Sequence, residues 1–157
     1  MPNWCSNDIT VSGSREDLKE FEKWFNEEFY KEGDLNYEAV TPYPIVYWIK
    51  DNIKSDIYKS DGYNSGGHDW CNNNWGTKWE GVGCSGLIVR KRSMIFSFDT
   101  AWSPSIPITN KLSQGFPNLK FTHKFYECGA GYKGKYTAKG GLCLENEEDN
   151  YRGDRGG

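Results

Sequence analysis

Apolar and polar residues alternate in Ile9-Thr10-Val11-Ser12, and with Gly13 behind them they predict a first strand over residues 3–12. Ser14, three residues before Asp17, is placed to accept a free backbone N–H and open a helix. Leu18, Phe21, Phe25 and Phe29 follow at spacings of three, four and four. That is one apolar stripe over about 15–31, stopped by Gly33, with Glu16, Glu20, Glu27 and Glu28 facing water. Leu35–Val40 predicts a second strand closed by Pro42 and Pro44. Ile45, Ile49, Ile53 and Ile57 recur every four residues and predict a helix over 45–58. Residues 60–67 read as the most mobile loop, and His68–Trp75 as a short helix ended by Gly76. Leu87-Ile88-Val89 and Met94–Phe98 flank a charged hairpin tip, Arg90-Lys91-Arg92-Ser93. Pro104 and Pro107 suit the first turn of a helix over about 105–114, with Gly115 and Pro117 ending it. Leu119–Glu127 and Tyr132–Lys139 form a second hairpin around Gly129-Ala130-Gly131.

Without the insert at about 42–80 and the final strand, this order approximates βαββαβ. The class is α+β, a split βαβ sandwich with an antiparallel sheet, helices on one face and the other face open. Residues 1–148 make one domain, and 149–157 read as a disordered tail whose Arg152-Gly153-Asp154 triplet is chance.

Composition sharpens this picture in three places. Aromatics reach 16% of 157 residues, with 7 Trp, so large flat side chains must fill much of the core. No run of 18 apolar residues exists, and the N-terminus lacks a basic stretch followed by an apolar one, so a cytoplasmic protein is expected. Cys5, Cys71, Cys84, Cys128 and Cys143 are odd in number with no CxxC pair, and His68 and His123 follow no ligand spacing. Free thiols and no metal or cofactor are the expectation.

Charge is segregated. Residues 1–80 carry 15 acids against 8 bases, whereas 81–144 carry only Asp99 and Glu127 against nine bases. A basic half of this kind suits an anionic partner. In the last hairpin Leu119, Phe121, His123 and Phe125 share one face. Lys120, Lys124 and Tyr126 share the other, joined on the second arm by Lys133, Lys135 and Lys139. Lys120, Lys124, Lys133 and Lys135 with Tyr126, and Arg90 and Arg92 at the first hairpin tip, are candidate binding residues. Trp75, Lys78 and Trp79 are further candidates, because indoles stack on bases and an ammonium meets phosphate. The same tryptophans equally suit a core between insert and sheet. Asp99 and Glu80 are a candidate carboxylate pair for acid–base work. Cys5 or Cys71 as nucleophile needs a nearby His. Pro2 is a candidate secondary amine if Met1 is removed. No phosphate loop, nucleophile elbow or zinc-helix motif is present.

Three phrases carry a resemblance: Met1–Asn7, Trp70–Glu80 and Phe98–Pro104. With Leu112, Phe116-Pro117 and Tyr126–Gly129, they resemble the YubB-like family of phage and plasmid proteins over roughly residues 1–140. The resemblance implies a ferredoxin-like fold and a mobile-element origin, and carries over no catalytic residue. The expectation is a non-catalytic binding protein in the cytoplasm of a bacterial host. Its partner would be a host protein or a nucleotide-like anion, with blunting of host defence as its effect. The alternatives are a single-stranded RNA or DNA binder using the basic 81–144 region, and a small hydrolase using Asp99 and Glu80.

Overall fold

The computed structural model describes residues 2–52 and 61–153. Strand β1 (Trp4–Ser12) buries Cys5, Asn7, Ile9 and Val11 and turns the alternate residues to the other face. Helix α1 (Arg15–Trp24) starts as expected, with the Ser14 hydroxyl accepting from the Asp17 N–H, and continues into a wider turn, Phe25–Phe29. All four stripe residues are buried. Phe21 is a hub, with its ring 5.2 Å from Phe116 and 5.6 Å from Phe121, both edge-on.

The expected strand over 35–40 does not form. β2 (Tyr30–Lys31) and β3 (Asp34–Leu35) make a two-residue hairpin, and a 3-10 turn follows at Tyr37–Ala39. Leu35 and Tyr37 are both fully buried, so the period-two pattern was real. It is satisfied by the short β2–β3 pairing and local turns, the Asn36 N–H donating back to the Phe29 carbonyl and the Leu35 N–H to the Gly81 carbonyl, and no place in the main sheet is needed.

Helix α2 (Ile45–Asn52) is the described part of the expected 45–58 helix, and Ile53 and Ile57 lie outside the described residues. Ile45 and Val46 face solvent. Part of the expected loop is folded: a kinked turn, Tyr63–Gly67, with Gly66 at φ +137, leads into α3 (His68–Asn74). A Cβ at Gly62 would strike the Tyr47 backbone and one at Gly67 the Tyr43 hydroxyl. Gly62 therefore lets α2 approach, and Gly67 makes room for Tyr43 just before it.

β4 (Ile88–Val89) and β5 (Ser93–Ala101) form the first hairpin, α4 (Ile106–Gly115) follows, and β6 (Lys120–Glu127) and β7 (Tyr132–Lys139) form the second. The sheet order is β4-β5-β1-β6-β7 and then β8 (Leu142–Asn150), with every pairing antiparallel. Because β5 and β6 both run opposite to β1, they are parallel to each other with β1 between them, joined by α4. This is the split βαβ crossover of a ferredoxin-like α+β fold. α1 and α4 lie on one face: Phe21 meets Phe96 and Phe121, and Thr109 bonds His123.

β8 is a second difference from expectation. It extends through Asp149 and Asn150, the first two residues of the supposed tail, while 154–157 lie outside the described residues. Its low hydrophobicity concealed it. Only one neighbour, β7, is needed for an edge strand, and opposite charges across that pair replace apolar burial.

Candidate functional site

The strand registers arrange the open face in rows. One row reads Asp99–Ser6–Tyr126–Lys133–Asp149, and the next Ser97–Asp8–Lys124–Lys135–Glu147. Asp99 accepts from the Ser6 hydroxyl at 3.1 Å and Asp8 from Ser97 at 2.6 Å. Lys135 pairs with Glu145 at 3.1 Å, which holds that carboxyl below its usual range. A shallow basin of about 280 Å³ lies over these rows, between Lys124, Tyr126, Lys133 and Lys135 and the β8 carboxylates of Glu147 and Asp149.

Beyond the first row, where β1 begins and β5 ends, a second feature rises. Trp4, Trp79 and Trp102 are 39%, 37% and 48% exposed. The Trp4 and Trp79 rings are 6.4 Å apart. Lys78 Nζ stands 4.6 Å from the Trp79 ring centroid and 5.7 Å from that of Trp102. Among the described residues no carboxylate lies within ion-pair distance of Lys78. The ammonium is positioned by π-faces rather than by an acid.

Trp102 sits at φ +70, the left-handed region that a bulky side chain rarely adopts. Its loop is held by three hydrogen bonds. The Trp102 N–H donates to the Asn3 carbonyl, the Tyr132 hydroxyl donates to the Trp102 carbonyl at 2.6 Å, and Ser103 donates to Gly76. A buried relay reaches the same loop from α4. With Asn7 Oδ1 as acceptor, His123 donates from Nε2 and accepts at Nδ1 from Thr109, both at 2.7 Å. Asn7 Nδ2 then donates to Thr100, whose hydroxyl donates to the Ser103 carbonyl. Burial pushes His123 down to about 3, so this imidazole is neutral and structural, satisfied on both nitrogens.

The structure thus divides the sequence-predicted residues. Lys120 and Lys124 are exposed on the open face, and Tyr126, Lys133 and Lys135 are half-buried beside them. Trp75 is core, its ring N–H donating to the Thr41 carbonyl at 2.9 Å. Lys78 and Trp79 belong to the surface patch. Arg90 and Arg92 stand at the Ser93 end of β5, about 27 Å along the strand from the patch at ~3.4 Å per residue. Glu80 and Asp99 have separate partners: the Glu80 carboxylate accepts from the Tyr37 N–H, Asp99 from Ser6. Burial pushes Glu80 up to about 7, with Glu38 and Asp34 adding to the shift. Cys5 and Cys71 are pushed by burial up to about 12 and about 11, so neither is a thiolate at neutral pH. Glu127, one of the two acids in the basic half, is fully buried and accepts from the Gly129 and Ala130 N–H groups.

Sequence reasoning missed Trp4, Trp102 and the β8 carboxylates. Trp4 was legible from its parity, since Cys5, Ile9 and Val11 take the core side. Trp102 was not, because its exposure depends on one left-handed residue.

A family model described as the ferredoxin-like domain in Api92-like protein matches residues 70–154, more than half of the chain. The chain belongs to this family. The match runs from α3 to beyond β8, so the acidic edge strand is part of the family domain rather than an appendage. The crystal structure of protein api92 from Yersinia pseudotuberculosis is similar with a TM-score of 0.59 and 12% identity. That likeness covers 97% of this chain and 99% of the other, and it bears on the fold alone. No curated protein matches the chain.

Proposed function

We propose that this ferredoxin-like protein is a non-catalytic binding module whose site is the Trp4–Lys78–Trp79–Trp102 patch. Its ligand on this reading is a nucleotide-like anion, the base stacked on an indole and the phosphate at Lys78. The observation that carries it is an ammonium that has no acid within ion-pair distance among the described residues, set beside two half-exposed indoles. Stacking on such rings is worth roughly 1–3 kcal/mol per base. The two carboxylates of the hydrolase alternative have separate partners and the buried thiols are protonated, which favours binding over chemistry. The phage or plasmid origin implied by the YubB-like resemblance, a place in the host cytoplasm and an effect on host defence belong to the same proposal.

Titration with nucleoside monophosphates and dinucleotides, followed by indole fluorescence, tests it. Saturable quenching is expected, lost in Lys78→Ala with an unchanged melting temperature. Absence of saturation with every nucleotide up to millimolar concentration rejects this ligand class. A host protein docked on the same indoles is the second reading, favoured by three exposed tryptophans, the residue type that concentrates energy in protein interfaces. Capture from host lysate that survives Trp102→Ala would reject it.

A further inference from the structure

The open face carries five lysines, at 120, 124, 133, 135 and 139, and five carboxylates, at 8, 99, 145, 147 and 149. Three of the five carboxylates come from β8 alone. Register sets Asp149 opposite Lys133 and Glu147 opposite Lys135, and Glu145 reaches Lys135 directly. Side chains opposite one another in a ladder are about 5 Å apart, well inside the Debye length of ~8 Å at physiological ionic strength. Each lysine of β7 in the basin thus shares its field with an acid that the strand order puts there. The Trp4–Lys78–Trp79–Trp102 patch lies past the last of these rows, and among the described residues no carboxylate is within ion-pair distance of Lys78.

We propose that β8 is the charge-selectivity element of the open face: Glu145, Glu147 and Asp149 screen Lys133 and Lys135, as Asp8 of β1 stands opposite Lys124, so that the face rejects polyanions. A single strand of nucleic acid gains affinity by neutralising phosphates on lysines, and lysines already facing carboxylates contribute little to that exchange. A strand laid along the basin would also bring its phosphates against Glu147 and Asp149. A ligand with one or two charges at Lys78 avoids both penalties. The screening deepens the binding reading above by excluding nucleic-acid polymers, and it holds whether or not the patch takes nucleotides.

The test uses the full chain and a fluorescent single-stranded DNA of about 20 nucleotides at low salt. The triple variant Glu145→Gln, Glu147→Gln, Asp149→Asn should bind it at least tenfold more tightly than the intact chain. Its salt dependence should steepen by about 1.4 in log–log slope, for two further phosphate contacts at ~0.7 each. Adding Lys133→Glu and Lys135→Glu should cancel the gain. Glu147→Gln with Asp149→Asn keeps the Lys135–Glu145 pair and should show at least a threefold gain, so the idea stays testable if the triple variant unfolds. Equal affinity of the intact chain and a folded variant overturns the proposal, as does a gain that survives the lysine reversals. Failure of nucleotide titration at the patch would count against the binding reading alone, since the polymer arm reads β8 independently.

Discussion

Trp75 and Trp79 stand four residues apart in one segment, yet one is 5% exposed and the other 37%. Trp75 packs edge-on against Tyr37 and Trp70 and gives its N–H to a backbone carbonyl. Trp79 leans on Trp4 and on the Lys78 ammonium. Gly76, at φ +80, separates them: it ends α3, and a Cβ there would strike Pro107. The chain reverses at this glycine, from the insert's aromatic cluster to the end of the sheet. A tryptophan-rich phrase is therefore two objects, a core plug and a surface platform, and residue type does not tell them apart. What does is whether the indole N–H and both ring faces have protein partners.

Removing the plug should have the largest effect. Trp75→Ala leaves a cavity among Tyr37, Tyr43 and Trp70 and orphans the Thr41 carbonyl, for a loss of about 3–5 kcal/mol. Phe25→Ala, in the α1 stripe, should cost a similar amount and serves as the reference for a core aromatic. Denaturant unfolding measures both. A loss below about 1 kcal/mol for Trp75→Ala would erase the distinction between the two tryptophans.

Glu80 follows Trp79 and turns back toward the core, so it probes the boundary between plug and platform. Its folded pKa of about 7 lies above the ordinary 4.5 because burial disfavours the charged form. Below pH 4.5 both states are protonated and nothing is lost. Between 4.5 and 7 the unfolded chain ionises first, so stability falls as pH rises, and above 7 the loss is complete. Glu80→Gln keeps an acceptor for the Tyr37 N–H and removes the charge. It should stabilise the protein by roughly 1–2 kcal/mol at pH 8, after discounting for partial exposure, and by nothing at pH 4. Parallel melting curves at the two pH values that shift equally would refute the burial of this carboxyl.

The legible part of the molecule is the part built from repeated local rules. The β1 alternation, the α1 stripe with its Ser14 cap, and the Lys120–Tyr126 parity each follow from one period and one cap. β8 was missed because Glu145, Glu147 and Asp149 read as solvated tail when taken alone, and only pairing with β7 gives them a role. The candidate site was half legible. Lys78 and Trp79 announced themselves, whereas Trp4 and Trp102 come from segments about 75 and 23 residues away that only the β1–β5 register unites.

Trp102 tests whether the platform is held under strain. A left-handed backbone costs an L residue roughly 1–2 kcal/mol that glycine does not incur. Trp102→Gly should therefore keep or raise stability, by up to about 1 kcal/mol, while removing a third of the platform. Trp102→Ala retains the strain and should not gain. A clear destabilisation by Trp102→Gly would mean that the ring packs as core and that its exposure does not describe its role.

Trp79→Ala should have the smallest effect on folding and a clear one on binding. The side chain is half-exposed, and the change removes a tilted contact with Trp4 and one cation–π contact worth about 0.5–1 kcal/mol at an exposed site. Much of that is offset by freeing Lys78 to water, so the melting midpoint should move by less than the equivalent of about 0.5 kcal/mol. The same substitution takes away the ring that would stack on a base, and nucleotide affinity should fall about tenfold. Trp79→Phe keeps a smaller π-face over Lys78 and should recover part of that loss. If Trp79→Ala instead unfolds the protein as Trp75→Ala does, the two indoles are one core and the patch is no platform.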